Sequence, residues 1–273
     1  MRVWFNGSVL DDPRAPVIGV DDHGLTVGDG VFETMKVVDG QPFAMTRHLD
    51  RLVASADGLG LPAPDLQVVR HAVDAVLDGY PLPLGRLRVT YTAGPAPMGS
   101  GRGSGPATLV VAADAMSPAP AAVAVARVPW VRNERGALAG LKTTSYAENV
   151  VALARAAQSG ASEAIFANTV GDLCEGTGSN IGYVIGGEAR TPSLASGCLA
   201  GVTRALLLEW AEVVEVDEPL AVLDRADEVF LVSTTRDVQP VHHVDGRQLE
   251  APGPVTRRLQ ETWSAQAAKD VDP

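Results

Sequence analysis

Residues 171–204 constrain the fold of this chain more than any other segment. They place a carboxylate, Glu175, before a turn of small residues (176–180), an apolar strand and a glycine hairpin. They end at residues 201–203, Gly-Val-Thr, where a helix is predicted to begin. Free N–H groups at a helix start form a natural seat for an anion. The segment therefore predicts a ligand with an anionic group at one end and a basic nitrogen at the other.

Pyridoxal 5′-phosphate (PLP) has these two ends, a phosphate and a pyridine nitrogen. A PLP enzyme also needs a lysine that holds the cofactor covalently. The chain has three lysines: Lys269 lies in the C-terminal tail, and Lys36 lies on a predicted hairpin strand, where a solvated lysine is expected. Lys142 lies between apolar Leu141 and three hydroxyl-bearing residues, 143–145. These surroundings make Lys142 the candidate for attachment.

Several motifs resemble those of a known family. Glu175 begins E-G-T-G-S-N-I, which is followed by T-P-S-L and G-C-L-A-G-V-T-R. Together they resemble the signature of the class IV, or fold-type IV, aminotransferases, and the similarity runs from Trp4 to about Gly246. The resemblance implies a PLP enzyme of the α/β (α+β) class, with the two-domain architecture of the D-amino acid aminotransferases.

Two further motifs bear on the reaction. Residues 28–34, G-D-G-V-F-E-T, resemble the start of D-amino acid transaminases and of aminodeoxychorismate lyases, and the A-G-L-K run that ends at Lys142 resembles that of the lyases. This resemblance implies conversion of 4-amino-4-deoxychorismate into 4-aminobenzoate and pyruvate, for folate or a related pathway. The alternative is a transaminase of branched-chain, D- or other amino acids. The Arg-x-His carboxylate trap of the D-amino acid transaminases is absent, because glycine and serine follow Arg102. A non-catalytic binding protein of the same fold is disfavoured, since Lys142 and Glu175 are both present.

The resemblance also assigns roles to individual residues. It implies that Lys142 is the catalytic lysine, that Glu175 pairs with the pyridine nitrogen, and that Tyr146 lies near the cofactor's phenolic oxygen. The implied phosphate contacts are Arg51 (within H-L-D-R-L), Val202, Thr203 and Thr234.

The substrate contacts are predicted from the same comparison. Thr34 ends the G-D-G-V-F-E-T motif, and Arg102 lies in a glycine-rich loop (94–106) that covers the active site in this family, often that of the partner subunit. The resemblance thus implies a homodimer and a small anionic substrate that Arg102 contacts. For His23, a surface position is favoured over the alternative of a substrate contact.

Local patterns predict the division of the chain. A proline-rich segment near 114–122 indicates the boundary between a smaller N-terminal domain (1–115) and a larger PLP-binding domain (122–273). The active site is expected in the cleft between them.

Short-range signals predict individual elements of the N-terminal domain. Asp39-Gly40 predicts a hairpin that joins strands at 31–38 and 41–45. Thr46 is expected to cap a helix that runs to about Gly58, and Leu66–Leu77 reads as a second helix. The tail after Ala267 is expected to be frayed.

Composition limits the partners of the protein. The net charge of −11 argues against a nucleic-acid surface, although a few local arginines can still create a pocket for an anion. There is no membrane-length apolar run and no signal-peptide pattern. The two cysteines form no zinc motif, and adjacent His242 and His243 should face opposite ways on a strand, so no metal is expected. A reduced, cytoplasmic setting follows.

Overall fold

The structure, a computed structural model, describes all residues, 1–273, and they form two compact units. The N-terminal unit contains Met1–Pro118, Leu141–Tyr146 and Val271–Pro273, and the C-terminal unit contains Ala119–Gly140 and Ala147–Asp270. The first change of unit, at Pro118, falls within the proline-rich segment at 114–122. Local patterns did not indicate that the Lys142 segment and the last three residues pack with the N-terminal unit.

An antiparallel sheet with helices on one face forms the N-terminal unit. Its strands are β1 (Arg2–Phe5), β2 (Ser8–Val9), β3 (Gly30–Val38), β4 (Gln41–Pro42), β5 (Leu84–Thr92) and β6 (Thr108–Ala115). Its helices are α1 (His23–Thr26), α2 (Met45–Leu59) and α3 (Leu66–Leu77). The strands lie in the order β2-β1-β6-β5-β3-β4. Alternate residues of β3 and β5, such as Met35 and Leu87, form a core with Leu49, Leu52 and Val73 of the two long helices, as the period-2 and period-3.6 patterns require.

A mixed sheet of nine strands forms the C-terminal unit. The strands are β7 (Val123–Arg132), β8 (Glu163–Asn168), β9 (Leu173–Gly176), β10 (Asn180–Ile185), β11 (Glu188–Thr191), β12 (Val213–Glu215), β13 (Glu228–Ser233), β14 (Asp237–Val244) and β15 (Arg247–Gln248). They lie in the order β12-β11-β10-β13-β14-β7-β8-β9, and β15 pairs with β14. The helices are α4 (Ala147–Ala157), α5 (Val202–Trp210) and α6 (Pro254–Ala267). No helix of either unit combines the length and the apolarity that a membrane crossing requires.

The chain between β3 and α2 differs from the predicted hairpin. The second strand stops at Pro42 instead of continuing to Met45, because proline has no N–H group to donate to a ladder. Ala44 then adopts a left-handed conformation (φ 54°) and stands at the N-cap position of α2 without a side-chain cap. The predicted strand at 41–45 was therefore too long.

The C-terminal tail, expected to be frayed, is instead bound to the start of α2. The Ala44 N–H donates to the Val271 carbonyl (2.7 Å). Asp272 accepts hydrogen bonds from the Thr46 N–H (2.8 Å) and from the Thr46 hydroxyl (2.6 Å). Thr46 is thus not the cap. A carboxylate 226 residues away satisfies its amide, a favourable place for a negative charge at a helix start.

Candidate functional site

The segment that carries Lys142 lies beside the first half of β3. The Phe32 N–H donates to the Lys142 carbonyl (3.0 Å), and the Thr144 N–H donates to the Gly30 carbonyl (2.8 Å). The Lys142 N–H donates to the Ser55 hydroxyl of α2 (3.2 Å). The Lys142 backbone is therefore held on two sides, and its half-buried side chain places Nζ 4.4 Å from the centre of the Phe32 ring.

A buried carboxylate on β3 holds the predicted phosphate-binding arginine. Glu33 is fully buried and accepts hydrogen bonds from Nε and Nη2 of Arg51, both at 2.7 Å. It also accepts one from Nδ1 of His48 (2.7 Å). Arg51 and His48 lie three residues apart on α2, so they share one helix face. The contact orients the guanidinium of Arg51, and sequence reasoning missed Glu33 because its partners lie on another element.

The pKa values in this cluster determine its charges. Burial alone would raise the pKa of the Glu33 carboxyl, but the charge and hydrogen bonds of Arg51, with the His48 hydrogen bond, lower that pKa to about 2. Burial lowers the pKa of His48 below its ordinary value. At neutral pH the cluster therefore holds an ionised Glu33 and a neutral His48 that donates its Nδ1 proton.

Replacing Glu33 with glutamine is expected to lower the free energy of unfolding by about 3 kcal/mol at pH 7. The folded-state pKa of Glu33, about 2, lies below its ordinary value of 4.5. Its stabilisation is therefore complete above pH 4.5 and is lost as the pH falls toward 2. Urea denaturation of parent and variant at several pH values measures the difference. Asp50→Asn, which removes an exposed carboxylate from the same helix, is the control. Equal stability of the Glu33 variant and the parent at pH 7 would contradict this account.

Arg88 of β5 is a second residue that sequence reasoning missed. The carbon at the centre of its guanidinium lies 3.7 Å from the centre of the Phe32 ring, and Nε donates to Thr90 Oγ1 (3.1 Å). No carboxylate lies within salt-bridge distance of Arg88. Thr34, the predicted substrate contact, is half-buried and stands opposite Arg88 in the ladder. The alternation of Arg86 and Arg88 with apolar residues was a signal that these arginines face away from the core.

The Phe32 ring connects this face to the lysine segment. Lys142 and Arg88 both approach the ring, and the ring of Tyr146 meets it edge-on with centroids 5.3 Å apart. Cations over a ring face and an aromatic edge are both favourable because of the ring's quadrupole. The structure thus brings Lys142, Tyr146 and Thr34 to one region of the N-terminal unit, together with Arg88.

Glu175 lies on β9 in the C-terminal unit, and its two carboxylate oxygens have different partners. Oε1 accepts a hydrogen bond from Nε of Arg132 (3.1 Å), and Oε2 accepts one from the Leu199 N–H (3.0 Å). The Arg132 guanidinium stacks on the Phe166 ring (4.1 Å) and also binds Glu148 (3.0 Å). Arg132 belongs to β7, 43 residues before Glu175, and no local pattern indicated this pairing.

The predicted anion seat lies three residues after Leu199. Helix α5 begins at Val202, and its N-cap residue, Gly201, offers no side-chain hydrogen bond to the first amides. A Cβ atom on Gly201 would lie 2.0 Å from Oδ1 of Asn180, so a larger residue there would displace the Asn180 side chain. Asn180 donates to the Leu199 carbonyl (2.8 Å) and stands opposite Val232 at the end of β13.

Three hydroxyl groups lie on α5 or at the end of β13. Thr203 is buried in the first turn of α5, and Thr234 directly follows β13. The Ser233 hydroxyl, which sequence reasoning missed, is buried without a hydrogen-bond partner. A buried hydroxyl without a partner is costly, and a bound phosphate oxygen would satisfy it. The start of α5 fits the phosphate of PLP. Glu175, which is held in place by the N–H of Leu199 three residues before this helix, fits the pyridine nitrogen.

A second buried carboxylate supports the turn between β9 and β10. Glu163 is 1% exposed and accepts hydrogen bonds from the Thr177 N–H (2.9 Å) and the Ser179 hydroxyl (3.0 Å). Arg236 approaches the same carboxylate (3.4 Å). Glu163 therefore connects the turn after Glu175 with the segment that carries Thr234.

The other predicted substrate residue, Arg102, lies with His23 in a separate network of the N-terminal unit. Arg102 donates to both oxygens of Asp29 (2.7 Å each) and to the carbonyls of Leu59 (2.7 Å) and Gly60 (2.6 Å). His23 is 1% exposed and binds Asp29. The prediction of a surface histidine was wrong, because the loop at 94–106 covers this ring through Gly99.

His242 and His243 do not face opposite ways on β14, contrary to the expectation. A bulge lies in the register of β14 at this point, and it brings the two Nδ1 atoms within 2.6 Å instead of on opposite faces. No group of three or more histidine, cysteine or acidic residues is arranged to hold a metal ion in the described chain.

Comparison with known proteins agrees with this geometry. Residues 30–244 match the family described as amino-transferase class IV. The bifunctional aminodeoxychorismate lyase / D-amino acid transaminase of Mycobacterium tuberculosis is 34% identical over 275 residues, which cover 91% of this chain and 93% of that protein.

Solved structures match over nearly the whole length. The branched-chain amino acid aminotransferase of Escherichia coli gives a TM-score of 0.90 at 27% identity, covering 97% of this chain and 93% of that one. A hypothetical aminotransferase of M. tuberculosis in its PLP-bound form gives 0.86 at 29% identity, covering 99% and 100%. The cofactor is pyridoxal 5′-phosphate, and the chain belongs to the class IV aminotransferases with their fold-type IV architecture.

Proposed function

We propose that the protein is a PLP-dependent lyase that converts 4-amino-4-deoxychorismate into 4-aminobenzoate and pyruvate. One observation carries the choice. Most of the motif at residues 28–34 lies on β3, which runs directly beside the Lys142 segment, with the Phe32 N–H hydrogen-bonded to the Lys142 carbonyl. This motif and the lyase-like A-G-L-K run therefore lie side by side at the proposed catalytic lysine. The bifunctional relative, 34% identical, supports the same choice.

Lys142 and Glu175 would have separate roles in this reaction. Lys142 would hold the cofactor and, once released, its amine would take the proton from the amine-bearing carbon of the substrate as general base. The chemistry that PLP supplies when bound is the withdrawal of electrons from that carbon. Glu175, oriented by Arg132 and Leu199, would keep the pyridine nitrogen protonated.

The phosphate and substrate contacts are proposed on the same basis. Arg51, with the first turn of α5 (Val202, Thr203) and Thr234, would bind the phosphate, since guanidinium groups and helix starts are the strongest donors to such an anion. Tyr146 would lie near the phenolic oxygen of the cofactor. Arg88, a cation without a carboxylate partner beside Thr34, would bind a carboxylate of the anionic substrate.

A transaminase of D-, branched-chain or other amino acids is the second candidate. The relatives favour it, because the matched E. coli structure is a branched-chain aminotransferase and the M. tuberculosis relative is also a D-amino acid transaminase. Both reactions begin with the same proton removal. They differ in whether the substrate's amino group stays on the holoenzyme after the product leaves, and only transamination, in which it stays, needs a 2-oxo acid acceptor to remove it. A non-catalytic role is disfavoured by the presence of both Lys142 and Glu175.

The need for an acceptor separates the two reactions. We expect the holoenzyme to form equal amounts of 4-aminobenzoate and pyruvate from 4-amino-4-deoxychorismate, over many turnovers, without any added 2-oxo acid. Fluorescence of 4-aminobenzoate and a coupled pyruvate assay measure the products, and Lys142→Ala is the control. Transfer from D-alanine or leucine to 2-oxoglutarate, with no 4-aminobenzoate formed, would make the transaminase the correct assignment.

We also propose a homodimer in the cytoplasm. Exposed apolar side chains on α4 (Val150, Val151) and on β7 (Trp130, Val131) support burial against a second copy. Both cysteines are buried free thiols, as expected in a reducing compartment.

A further inference from the structure

Both ring nitrogens of His23 face groups that can only accept hydrogen bonds. Nδ1 lies 3.0 Å from Oδ2 of Asp29, and Nε2 lies 2.8 Å from the carbonyl oxygen of Gly99. A carbonyl never donates, and an ionised carboxylate does not either. Both contacts are hydrogen bonds only when each nitrogen carries a proton, so this arrangement requires the imidazolium form. The ring is 1% exposed, so water does not replace either acceptor.

The two acceptors of His23 belong to a larger contact that fastens the loop at 94–106. The Asp29 carboxylate accepts a hydrogen bond from His23 and two more from Nε and Nη2 of Arg102. Arg102 also donates hydrogen bonds to the Leu59 and Gly60 carbonyls at the end of α2. Gly99 and Arg102 therefore attach the tip of the loop at two points, while Met98, the residue before Gly99, is exposed. We call His23, Asp29, Gly99 and Arg102 the loop clasp.

We propose that the loop clasp is a proton-operated latch, which fastens the loop to the N-terminal unit while His23 carries two protons and loosens when one is lost. Loss of either proton leaves a lone pair facing an oxygen, so the contact with Gly99 or with Asp29 is broken. The ion pair between Arg102 and Asp29 does not change its protonation near neutral pH. It therefore keeps the loop attached at Arg102. The loop is therefore released only in part, mainly around Gly99.

The charges around His23 set the direction of the response. The hydrogen bond that His23 donates to Asp29 is the main reason that the pKa of His23 is raised above its ordinary value, while Arg102 opposes that rise. The hydrogen bond from Arg102 lowers the pKa of Asp29, so this carboxylate stays ionised. The carboxylate of Asp22, the residue before His23, accepts hydrogen bonds from the Thr92 and Thr108 hydroxyls and from the Gly24 N–H. Since the folded-state pKa is raised, the latch is closed at low pH and is lost as the pH rises through that value.

Hydrogen exchange of the loop amides in the holoenzyme, corrected for intrinsic rates, tests the latch between pH 6 and 10. Protection of the amides of residues 98–103 should fall about tenfold or more as the pH rises, since a hydrogen bond to a charged group is lost. The midpoint should coincide with the His23 titration measured by NMR. His23→Gln should be weakly protected at every pH, without a step. His71→Gln, which changes an exposed histidine on α3, should behave like the parent.

A second variant separates the latch from a loss of folding. Arg102→Met should move the His23 titration to higher pH, because Arg102 lowers that pKa, and it should weaken loop protection throughout. Protection in the parent that does not change with pH, or a step that persists in His23→Gln, would overturn the proposal. So would a His23 titration whose midpoint differs from that of the exchange step. Because no step involves substrate, these outcomes are independent of which reaction the enzyme catalyses.

Discussion

Replacing Lys142 with alanine is expected to reduce turnover by about 10²–10⁴-fold, since the variant loses the group proposed to hold the cofactor and to move the proton. The fold should persist, because the hydrogen bonds that link Lys142 to Phe32 and Ser55 are made by its backbone. Steady-state rates, with thermal unfolding as a check of folding, measure the effect.

The comparison with Lys36 makes this test specific. Lys36 is the other lysine of the N-terminal unit, where its Nζ lies 5.7 Å from the centre of the Phe43 ring. Lys36→Ala should retain most activity. Borohydride reduction of the parent holoenzyme, followed by peptide mapping, should find the cofactor on Lys142. Cofactor fixed to Lys36 instead would refute the assignment.

Glu175→Gln should retain the cofactor yet lose about 10- to 1000-fold in turnover. A neutral amide cannot stabilise a protonated pyridine, and the lost interaction corresponds to about 1–3 units in the pKa of that nitrogen. The structure adds a second reason. Arg132 and the Leu199 N–H both donate to Glu175, so an amide NH₂ group would face a donor on one side.

A matched control exists for the Glu175 variant. Glu148 is the second acidic partner of Arg132, and its side chain is 54% exposed. Glu148→Gln removes the same charge from the same arginine at the surface, and we expect near-parent turnover. The absorption spectrum and the cofactor content after dialysis distinguish weaker chemistry from weaker binding. Equal turnover of the Glu175 variant and the parent would show that Glu175 is not the partner of the pyridine nitrogen.

The arrangement of charges explains why these two substitutions should have the largest effects. Glu33 and Glu163 are buried carboxylates that bind protein donors within their own units. Their removal should act mainly on stability or on the orientation of Arg51 and Thr234. Lys142 and Glu175 are only partly buried, and their proposed roles concern the proton and the ring nitrogen directly.

Local patterns in the sequence determined those features of this protein that depend on neighbouring residues. The apolar spacing of residues 66–77 predicted α3 with its observed bounds, Leu66–Leu77. The order carboxylate, small turn, strand and glycine-started helix was read from residues 171–204, and the structure has these elements in that order. The same motifs identified the family, because residues adjacent in the chain form them.

Tertiary structure alone decided which charged groups meet. Glu33 and Arg51, Arg132 and Glu175, and Asp29 and Arg102 are 18, 43 and 73 residues apart. Each partner lies on a different element, and no helical or strand period connects them. The tail shows the same limitation, since Asp272 and Thr46 are 226 residues apart and meet only in the tertiary structure. Local periodicity indicates the face on which a side chain lies, but the packing of distant elements determines its partner and therefore its charge.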